Sequence, residues 1–206
     1  VPASTSLING VPVNIGATFA VDAGTLNITS TTVQALNNCQ YNVAAGATLS
    51  INQCTLTGSG VHAGSSAGAF ALTGTTTLGG PITVNVAGNG LVIAGGITSN
   101  SLTNALGGLI TFSGAGDRFL SGCTIINQGR AVFELPAIMQ FNSGAVQNTG
   151  EFELRRGTFG QWSGTTSFTN AATGLARKTT TADMAVQVPI VNNGTFEIEA
   201  GSLDRK

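Results

Sequence analysis

The chain has 206 residues, of which 42% are hydrophobic, 8% are charged and 29 are glycine, and its formal net charge is −1. In average soluble domains, about a quarter of all residues are charged. A nearly neutral chain without a basic cluster offers no electrostatic footprint for nucleic acid or for an anionic membrane. No run of about 20 apolar residues is present, which argues against a membrane-spanning helix. We therefore expect neither nucleic-acid binding nor membrane insertion.

The few charges are unevenly distributed along the chain. Asp22 is the only Asp, Glu, Lys or Arg before Gly116, and all eight Lys and Arg residues lie from Arg118 onward. Apolar and polar residues alternate in short segments, which indicates a packed β protein rather than a disordered chain. The sequence beginning at Val1 would suit a mature terminus left after processing of a secreted protein.

One short pattern recurs along the whole chain. It consists of an asparagine, a glycine and then alternating apolar and polar residues, and its clearest copy begins at Asn192. The glycines of successive copies lie 18 to 24 residues apart, except for one interval of 30 between Gly16 and Gly46. A period of this length, built from short alternating segments, is typical of a solenoid in which each coil buries its apolar side against its neighbours.

Three strand-like segments fit into one coil, and the clearest examples begin at Phe152, Thr158 and Thr166. Three short strands per coil predict a triangular parallel β-helix, whose equivalent residues form ladders about 4.8 Å apart. We predict an all-β, single-domain right-handed parallel β-helix (β-solenoid) over residues 1–206, with about nine coils of about 21 residues. Residues 1–13 are predicted to be a lead-in strand, and residues 30–41 a loop that protrudes from the over-long coil.

This coil pattern resembles the right-handed β-helices of the pectin-lyase-like superfamily. It is most similar to the low-charge repeats, rich in Gly, Thr and Asn, of bacterial autotransporter passengers, filamentous adhesins and other large secreted surface proteins. The resemblance implies a structural column of inward-turned asparagines at one corner of the coil, with a glycine before the strand that follows. The residues that carry it are Asn127, Asn148, Asn170 and Asn192, together with Gly129, Gly150, Gly174 and Gly194.

The acidic residues of the C-terminal half are the candidates for catalysis. Cleavage of a glycosidic bond needs two carboxyl groups about 5–10 Å apart on one face. Glu134, Glu153 and Glu197 each stand between apolar residues, which predicts an outward position in a solvated ladder of Arg–Glu pairs. We favour this structural interpretation, and predict no catalytic residue and no enzyme. The other members of the candidate set are Glu151 and Glu199, with Arg130, Arg155, Arg156 and Arg177.

Cysteine and histidine give weaker signals. Of the three cysteines, Cys39 and Cys54 have similar sequence settings, so a disulfide across the over-long coil is one interpretation. The alternative is that each cysteine is a small buried hydrophobe. His62 has no Cys or carboxylate at ligand spacing, so we predict no metal site. Motifs for phosphate binding and for an activated nucleophile are missing, and we predict no cofactor.

Threonine clusters at residues 31–32, 75–77 and 179–181 raise the question of ice binding, which requires outward threonines at regular spacing. Consecutive threonines in a strand point to opposite faces. The clusters also do not recur at the coil period, so we expect the regular array to be absent. Asn27 and Asn193 match the acceptor pattern for glycosylation, a weak signal in a chain rich in Asn and Thr.

Neither end of the sequence shows a helical cap. An uncapped solenoid end exposes unpaired backbone groups over an apolar core. The chain is therefore expected to be a segment of a longer solenoid or a subunit that stacks on copies of itself, and head-to-tail stacking forms open filaments. We expect a secreted or cell-surface structural protein, either a homo-oligomeric filament subunit or part of an adhesive rod. The alternative is a β-helix protein that binds or degrades a polysaccharide, with a carbohydrate or surface ligand.

Overall fold

The computed structural model describes residues 5–36, 38–58 and 60–205, and every regular element in this part of the chain is a β-strand. The 27 strands of the described residues pair in parallel with strands one coil earlier or later, and all except the first and last strand of each face pair on both sides. They form a solenoid of about nine turns whose equivalent residues lie about 21 residues apart. The predicted β-solenoid is confirmed, whereas its right-handed winding stays a prediction.

Coils are numbered by their face 1 strands; each of coils 1 to 9 contributes one strand to each of three faces, and the described part of coil 10 adds one strand each to faces 1 and 2. Face 1 contains β1 (Thr5–Asn9), β4 (Thr25–Thr29), β7 (Thr48–Asn52), β10 (Ala69–Thr73), β13 (Leu91–Ile93), β16 (Leu109–Phe112), the first parts of β19 (Arg130–Asn142) and β21 (Glu151–Ser163), β23 (Leu175–Lys178) and β26 (Thr195–Ile198). Face 2 contains β2 (Val13–Ile15), β5 (Thr32–Ala35), β8 (Thr55–Gly58), β11 (Thr76–Leu78), β14 (Ile97–Thr98), β17 (Arg118–Ser121), the second parts of β19 and β21, β24 (Met184–Val186) and β27 (Leu203–Arg205). Face 3 contains β3 (Thr18–Val21), β6 (Cys39–Val43), β9 (Val61–Ser66), β12 (Ile82–Gly88), β15 (Ser101–Asn104), β18 (Thr124–Asn127), β20 (Ala145–Asn148), β22 (Ser167–Asn170) and β25 (Ile190–Asn192).

One inward-facing column on face 1 shows how stacking builds the core. The column runs from Ile8 to Ile198, and each member is in register with the next. Its central members are at most 2% exposed, because the coils on both sides cover them. Lys178 is its one polar member, and its Nζ atom turns to the carbonyl and hydroxyl of Thr180. The central members are Ile28, Ile51, Leu72, Ile93, Phe112, Phe133 and Leu154.

Aromatic rings fill the interior of coils 6 to 8. Phe133 and Phe159 meet edge to face with ring centroids 4.5 Å apart, and Phe152 and Phe168 do so at 5.2 Å. Such pairs add about 0.5–1.5 kcal/mol each beyond the burial of their area. The void left among the rings is only about 10 Å³, too small for any ligand and at the lower limit for one water. This part of the interior is therefore a packed core, and any binding there must occur on the outside.

The predicted loop at residues 30–41 is wrong. Strands β5 and β6 occupy most of this region and pair in register with the coils before and after them. The error comes from Gly16, which lies between β2 and β3 rather than before a face 1 strand. Strand β4, not β3, is in register with β7, and Gly24, immediately before β4, precedes Gly46 by an ordinary interval of 22 residues.

The predicted lead-in at residues 1–13 also needs correction. Strand β1 is already the first strand of coil 1, because it pairs with β4 over five consecutive residues from Thr5 to Asn9. Strand β2 begins at Val13 on face 2. Residues 1–4 of the expected lead-in lie outside the described part of the chain.

Candidate functional site

Asparagines at the turn from face 3 to face 1 form a hydrogen-bonded ladder. Each is the last residue of a face 3 strand, in register with the asparagine of the next coil. The Nδ2 atom of each of the first four donates to the Oδ1 atom of the next at 2.8 Å. The Nδ2 atom of Asn148 also donates to the carbonyls of Gly150 and Leu175, both at 3.1 Å. The ladder contains Asn104, Asn127, Asn148, Asn170 and Asn192, of which the first four are fully buried.

The glycines of the predicted column, Gly129, Gly150, Gly174 and Gly194, stand immediately before the face 1 strands. None of the four has a positive φ angle. A side chain is excluded for another reason: a Cβ at Gly150 would overlap the carbonyl oxygen of Gly129, and a Cβ at Gly194 that of Ala171. At this corner the asparagine amides donate hydrogen bonds to backbone carbonyls, and the glycines allow neighbouring backbone segments to approach closely. Their polar groups are used within the fold, which leaves this column a structural role.

The ladder begins at Asn104 because the turn from face 3 to face 1 lies at a different position in the preceding coil. Its Oδ1 atom is buried without a hydrogen-bond partner among the described residues, since Val84 occupies the equivalent position in the preceding coil. Strand β12 continues four residues past Val84 to Gly88 before the chain turns to face 1. Asn89, which has the same sequence setting as the ladder asparagines, instead donates from its Nδ2 atom to the carbonyls of Ala67 and Gly68.

Outward residues of face 1 in coils 7 to 10 form one network of ion pairs. Arg130 contacts Glu151 at 3.2 Å and Glu153 at 2.6 Å, and Arg155 contacts Glu153 and Glu134 at 2.9 Å each. The structure thus gathers all the candidate Glu and Arg residues except Glu197, which forms no ion pair with any described residue. The other contacts are Arg156–Glu134 at 4.0 Å, Arg177–Glu199 at 3.5 Å and Arg177–Glu151.

Glu153 lies at the centre of this network. Its side chain is only 7% exposed, because Arg130, Arg155 and Thr179 cover it, and the Thr179 hydroxyl donates to its Oε1 atom at 2.7 Å. Burial alone would raise the pKa of Glu153, but the hydrogen bonds from Arg155, Thr179 and Arg130 outweigh burial and lower this pKa to about 2. The expected solvated ladder is therefore wrong at Glu153, although the carboxylate of Glu134 remains partly exposed.

This charge arrangement is better suited to holding coils together than to proton transfer. A general acid must keep its proton near the working pH, whereas Glu153 is ionised throughout the neutral range because of its lowered pKa. Glu151 is held between Arg130 and Arg177, which belong to the coils on either side of it. The two carboxylates therefore link three successive coils.

His62 lies buried on β9 and is 3% exposed. Its Nδ1 atom is 2.9 Å from the hydroxyl of Tyr41, and its Nε2 atom is 3.2 Å from the carbonyl of Thr57. A carbonyl only accepts, so Nε2 carries the proton and Nδ1 accepts from Tyr41. Burial lowers the pKa of His62 and keeps the ring neutral. In the described ranges, no three His, Cys, Asp or Glu side chains are grouped as a metal site requires.

The proposed disulfide between Cys39 and Cys54 is wrong, because both cysteines are free and buried. Cys39 lies on β6 in face 3, and its thiol is 3.7 Å from the carbonyl of Val61. Cys54 immediately precedes β8 in face 2, and its thiol donates to the carbonyl of Asn52 at 3.2 Å. Burial raises the pKa of the Cys39 thiol and that of Cys123, the latter to about 12. Both are therefore small buried hydrophobes rather than nucleophiles.

A row of hydroxyl and amide side chains runs along the outer side of face 2, and the sequence pattern did not predict it. The threonine clusters at 31–32 and 75–77 each supply one member, and isolated threonines supply others, so single threonines recur at the coil period on this face although the clusters do not. The members, in register one per coil, are Thr32, Thr55, Thr77, Thr98, Ser121, Asn142 and Ser163. We call these seven residues the face 2 row.

Comparison of the chain with protein-family models, with curated proteins and with solved structures found no match. Within the described residues, no helix is long and apolar enough to cross a membrane. A function for the chain must therefore be inferred from the stacked fold and from the side chains on its outer faces.

Proposed function

We propose that the chain is a structural rod of a secreted or cell-surface protein, similar to the β-helical repeats of autotransporter passengers and filamentous adhesins, and that its end coils stack on further copies. One observation carries this proposal, namely the open end of the inward column on face 1. Ile198 is 57% exposed, whereas the members from Ile28 to Leu154 are at most 2% exposed. A further coil on β26 would cover Ile198 as each coil covers the one before it.

The backbone at both ends of the stack supports the same proposal. Among the described residues, β26 and β27 each pair with one strand only, β23 and β24, and β1 pairs only with β4. An edge of this kind presents a row of N–H and C=O groups that can pair with another chain. At the β1 end, Ile8 occupies the inward column and Leu7 is 64% exposed. In the described part of the chain, the strands at both ends therefore offer apolar surface together with backbone groups that a further coil could pair.

Low charge also favours close stacking of copies. Asp22 is the only Asp, Glu, Lys or Arg in residues 5–116 and His62 is neutral, so coils 1 to 5 carry almost no like charge to repel a neighbour. Long-range repulsion between copies is correspondingly weak. The charged network of coils 7 to 10 lies on the outside of face 1, where it does not obstruct stacking along the axis.

Electron microscopy of negatively stained protein at increasing concentration tests the proposal. The wild-type chain is expected to form rods whose length grows with concentration. Ile8→Lys and Ile198→Lys each place a charge in the inward column at one end. Lys178 is accommodated in this column with its Nζ atom bonded to Thr180, whereas burying an unpaired ammonium against an apolar coil is unfavourable. Each variant alone should stay monomeric. A mixture of the two should form dimers and nothing longer, because each variant retains one unmodified end.

Gln147→Lys is the matched control, since it adds the same charge to an exposed position of β20 on the side of the solenoid. It should form rods like the wild type. Thermal unfolding followed by circular dichroism checks that every variant is folded. A wild-type chain that stays monomeric at all concentrations, or an Ile198→Lys variant that still forms rods, contradicts end-to-end stacking.

Cleavage of an acidic polysaccharide is the second candidate function. The observation in its favour is that Glu151, Glu153 and three arginines share one outer face. The assay is release of reducing ends or unsaturated sugars from polygalacturonate by the wild-type chain and by Glu151→Gln and Glu153→Gln. Loss of release in the folded variants would support catalysis. Release that neither variant changes would remove both glutamates from consideration.

A further inference from the structure

The outer side of face 2 carries two exposed aromatic rings in contact. Phe119 on β17 is 40% exposed and Trp162 on β21 is 61% exposed. Their ring centroids are 5.3 Å apart and their planes are inclined at 47°, although they belong to coils 6 and 8. Large apolar rings that stay in water at one place on an otherwise polar surface are typical of an interaction site.

A β-bulge directs Trp162 away from the core. Gln161 pairs with Phe141 and Ser163 pairs with Asn142, so Trp162 has no partner on β19. The extra residue interrupts the alternation of inward and outward side chains, and bulges of this kind re-aim a side chain next to a binding site. The residues on both sides of Trp162 are exposed as well. The Trp162 side chain therefore projects outward from face 2 and leaves no gap in the core.

The two rings, three members of the face 2 row and Thr75 line a shallow cleft of about 220 Å³. The polar lining consists of Thr75, Thr98, Ser121 and Asn142. The amide of Asn142 donates to the hydroxyl of Ser121 at 3.2 Å, which leaves its second amide proton free for a ligand. The hydroxyl of Ser121 can donate in turn. The cleft therefore combines apolar plates with neutral hydrogen-bonding groups.

The cleft and the row contain no charged residue. Two charged residues precede Phe119 in the chain, and both are engaged by other groups: Arg118 within its own loop and Asp117 by the next coil. Arg118 donates to the carbonyls of Ala115 and Asp117, and the carboxylate of Asp117 accepts from the backbone of Ile138 at 3.1 Å. An ionic ligand therefore has no counter-charge in the lining, whereas a neutral ligand with hydroxyl groups matches it.

We propose that this cleft binds a neutral carbohydrate chain that lies along the face 2 row, parallel to the solenoid axis. A pyranose ring has an apolar C–H face, which packs on an aromatic ring, and a hydroxyl edge, which hydrogen-bonds to threonine, serine and asparagine. Row members repeat about every 4.8 Å and the whole row spans about 29 Å. This repeat is close to the length of one sugar unit, so successive sugars meet successive coils. The site lies on the side of the solenoid and does not depend on end-to-end stacking.

An ice surface fits this face less well than a carbohydrate. Ice binding needs a flat array of hydroxyl groups repeated in two directions, whereas the row is single. Two residues before Thr77, Thr98, Ser121 and Asn142 stand Thr75, Gly96, Phe119 and Gln140, which form no second rank of hydroxyl groups. The projecting rings of Phe119 and Trp162 also break the plane.

The experiment uses the folded chain in native gels containing hydroxyethylcellulose, galactomannan or dextran, with polygalacturonate as the acidic comparison. Trp162 is the only tryptophan, so its fluorescence reports on this cleft alone. At least one neutral polymer should retard the chain, shift the tryptophan emission to the blue and protect it from acrylamide quenching. Trp162→Ala should weaken the gel retardation by roughly tenfold or more, and Phe119→Ala should weaken it by less.

Leu106→Ala is the matched control, because Leu106 is 81% exposed at a turn away from face 2. It should bind like the wild type. The proposal is overturned if no neutral polymer changes mobility or fluorescence, or if folded Trp162→Ala binds as tightly as the wild type. Retardation by polygalacturonate alone would overturn it in favour of the arginines on face 1. Ice-growth inhibition that Trp162→Ala leaves intact, without polymer binding, would overturn it as well.

Discussion

At the scale of single residues, Asn148 shows how one side chain links three coils. Its Oδ1 atom accepts from Asn127 in the preceding coil, and its Nδ2 atom donates to Asn170 in the next coil at 2.8 Å. The same amide reaches the carbonyls of Gly150 and Leu175 at the corner. A buried polar group that loses its partner costs about 1–3 kcal/mol. The amide therefore stabilises both the turn and the stacking of its neighbours.

Asn148→Ala is expected to lower the free energy of unfolding by about 2–4 kcal/mol, because it leaves several buried groups unpaired at once. Urea denaturation measures the change. Gln147→Ala on the exposed side of the same strand is the control, and should stay within about 0.5 kcal/mol of the wild type. Asn104→Ala should cost less than Asn148→Ala, because the Oδ1 atom of Asn104 has no partner. Equal effects at Asn148 and Gln147 would contradict a stabilising ladder.

His62 gives the chain a pH dependence that can be assigned to one group, since it is the only histidine. Burial holds the pKa of folded His62 below its unfolded value of about 6.5. Below that pH the unfolded chain binds more protons, so stability is fully present above about pH 6.5 and declines as the pH falls. The urea midpoint should therefore decrease from pH 7.5 to pH 5.5. In folded His62→Gln this decrease should vanish, and an unchanged slope would refute the assignment.

At the scale of strands, the outward column of face 1 changes character along the solenoid. Its later members, in register, are Val132, Glu153, Arg177 and Glu197. Glu153 is covered by side chains from the coils on both sides, whereas Glu197 on β26 is exposed. Removing one charge from a closed network costs more than removing one from an exposed ion pair, whose contribution is about 0–1 kcal/mol. Equivalent positions in the repeat therefore differ in energy.

Glu153→Gln should lower the free energy of unfolding at pH 7 by about 1–3 kcal/mol, and Glu197→Gln by less than about 0.5 kcal/mol. The folded pKa of Glu153 is about 2, below its ordinary value of 4.5. Its contribution is thus present above about pH 4.5 and is lost as the pH falls towards 2. Denaturation curves between pH 7 and pH 2.5 measure both effects. A Glu153→Gln variant as acid-sensitive as the wild type would count against this role.

The strand scale also shows what the sequence could predict. Glycines and asparagines repeat at the coil period because they close one corner, so the number of coils and the three strands per coil were predictable. The position of the first coil was predicted wrongly because Asn14 and Gly16 have the same spacing as the asparagine and glycine of a ladder corner. Gly16 instead follows β2, at the turn from face 2 to face 3. The face 2 row could not be predicted, because its members are 21 to 23 residues apart and this variation prevents their alignment from the sequence alone. Burial of Glu153 depends on Arg130 and Thr179, which are 23 and 26 residues away.

At the scale of the whole molecule, the chain behaves as a one-dimensional stack. Each coil contacts mainly the coils before and after it, so stability is close to a sum over coils and over the interfaces between them. Central coils have two such interfaces, whereas coil 1 and the strands β26 and β27 have one. Interior residues such as Phe133 are about 1% exposed, and Ile198 is 57% exposed. Opening should therefore begin at the ends and proceed inward.

Hydrogen exchange at two protein concentrations turns this gradient into a test of assembly. In dilute solution, amides of β1, β26 and β27 should exchange fastest and those of β16 to β21 slowest, because only central coils are paired on both sides. At concentrations where rods form, end-to-end stacking gives the end strands a second neighbour, so their exchange should slow markedly while central coils change little. In Ile198→Lys, β26 should stay unprotected at every concentration. Rods that form while β1 and β26 keep exchanging fast would instead be held by lateral contacts, for example through the rings of Phe119 and Trp162.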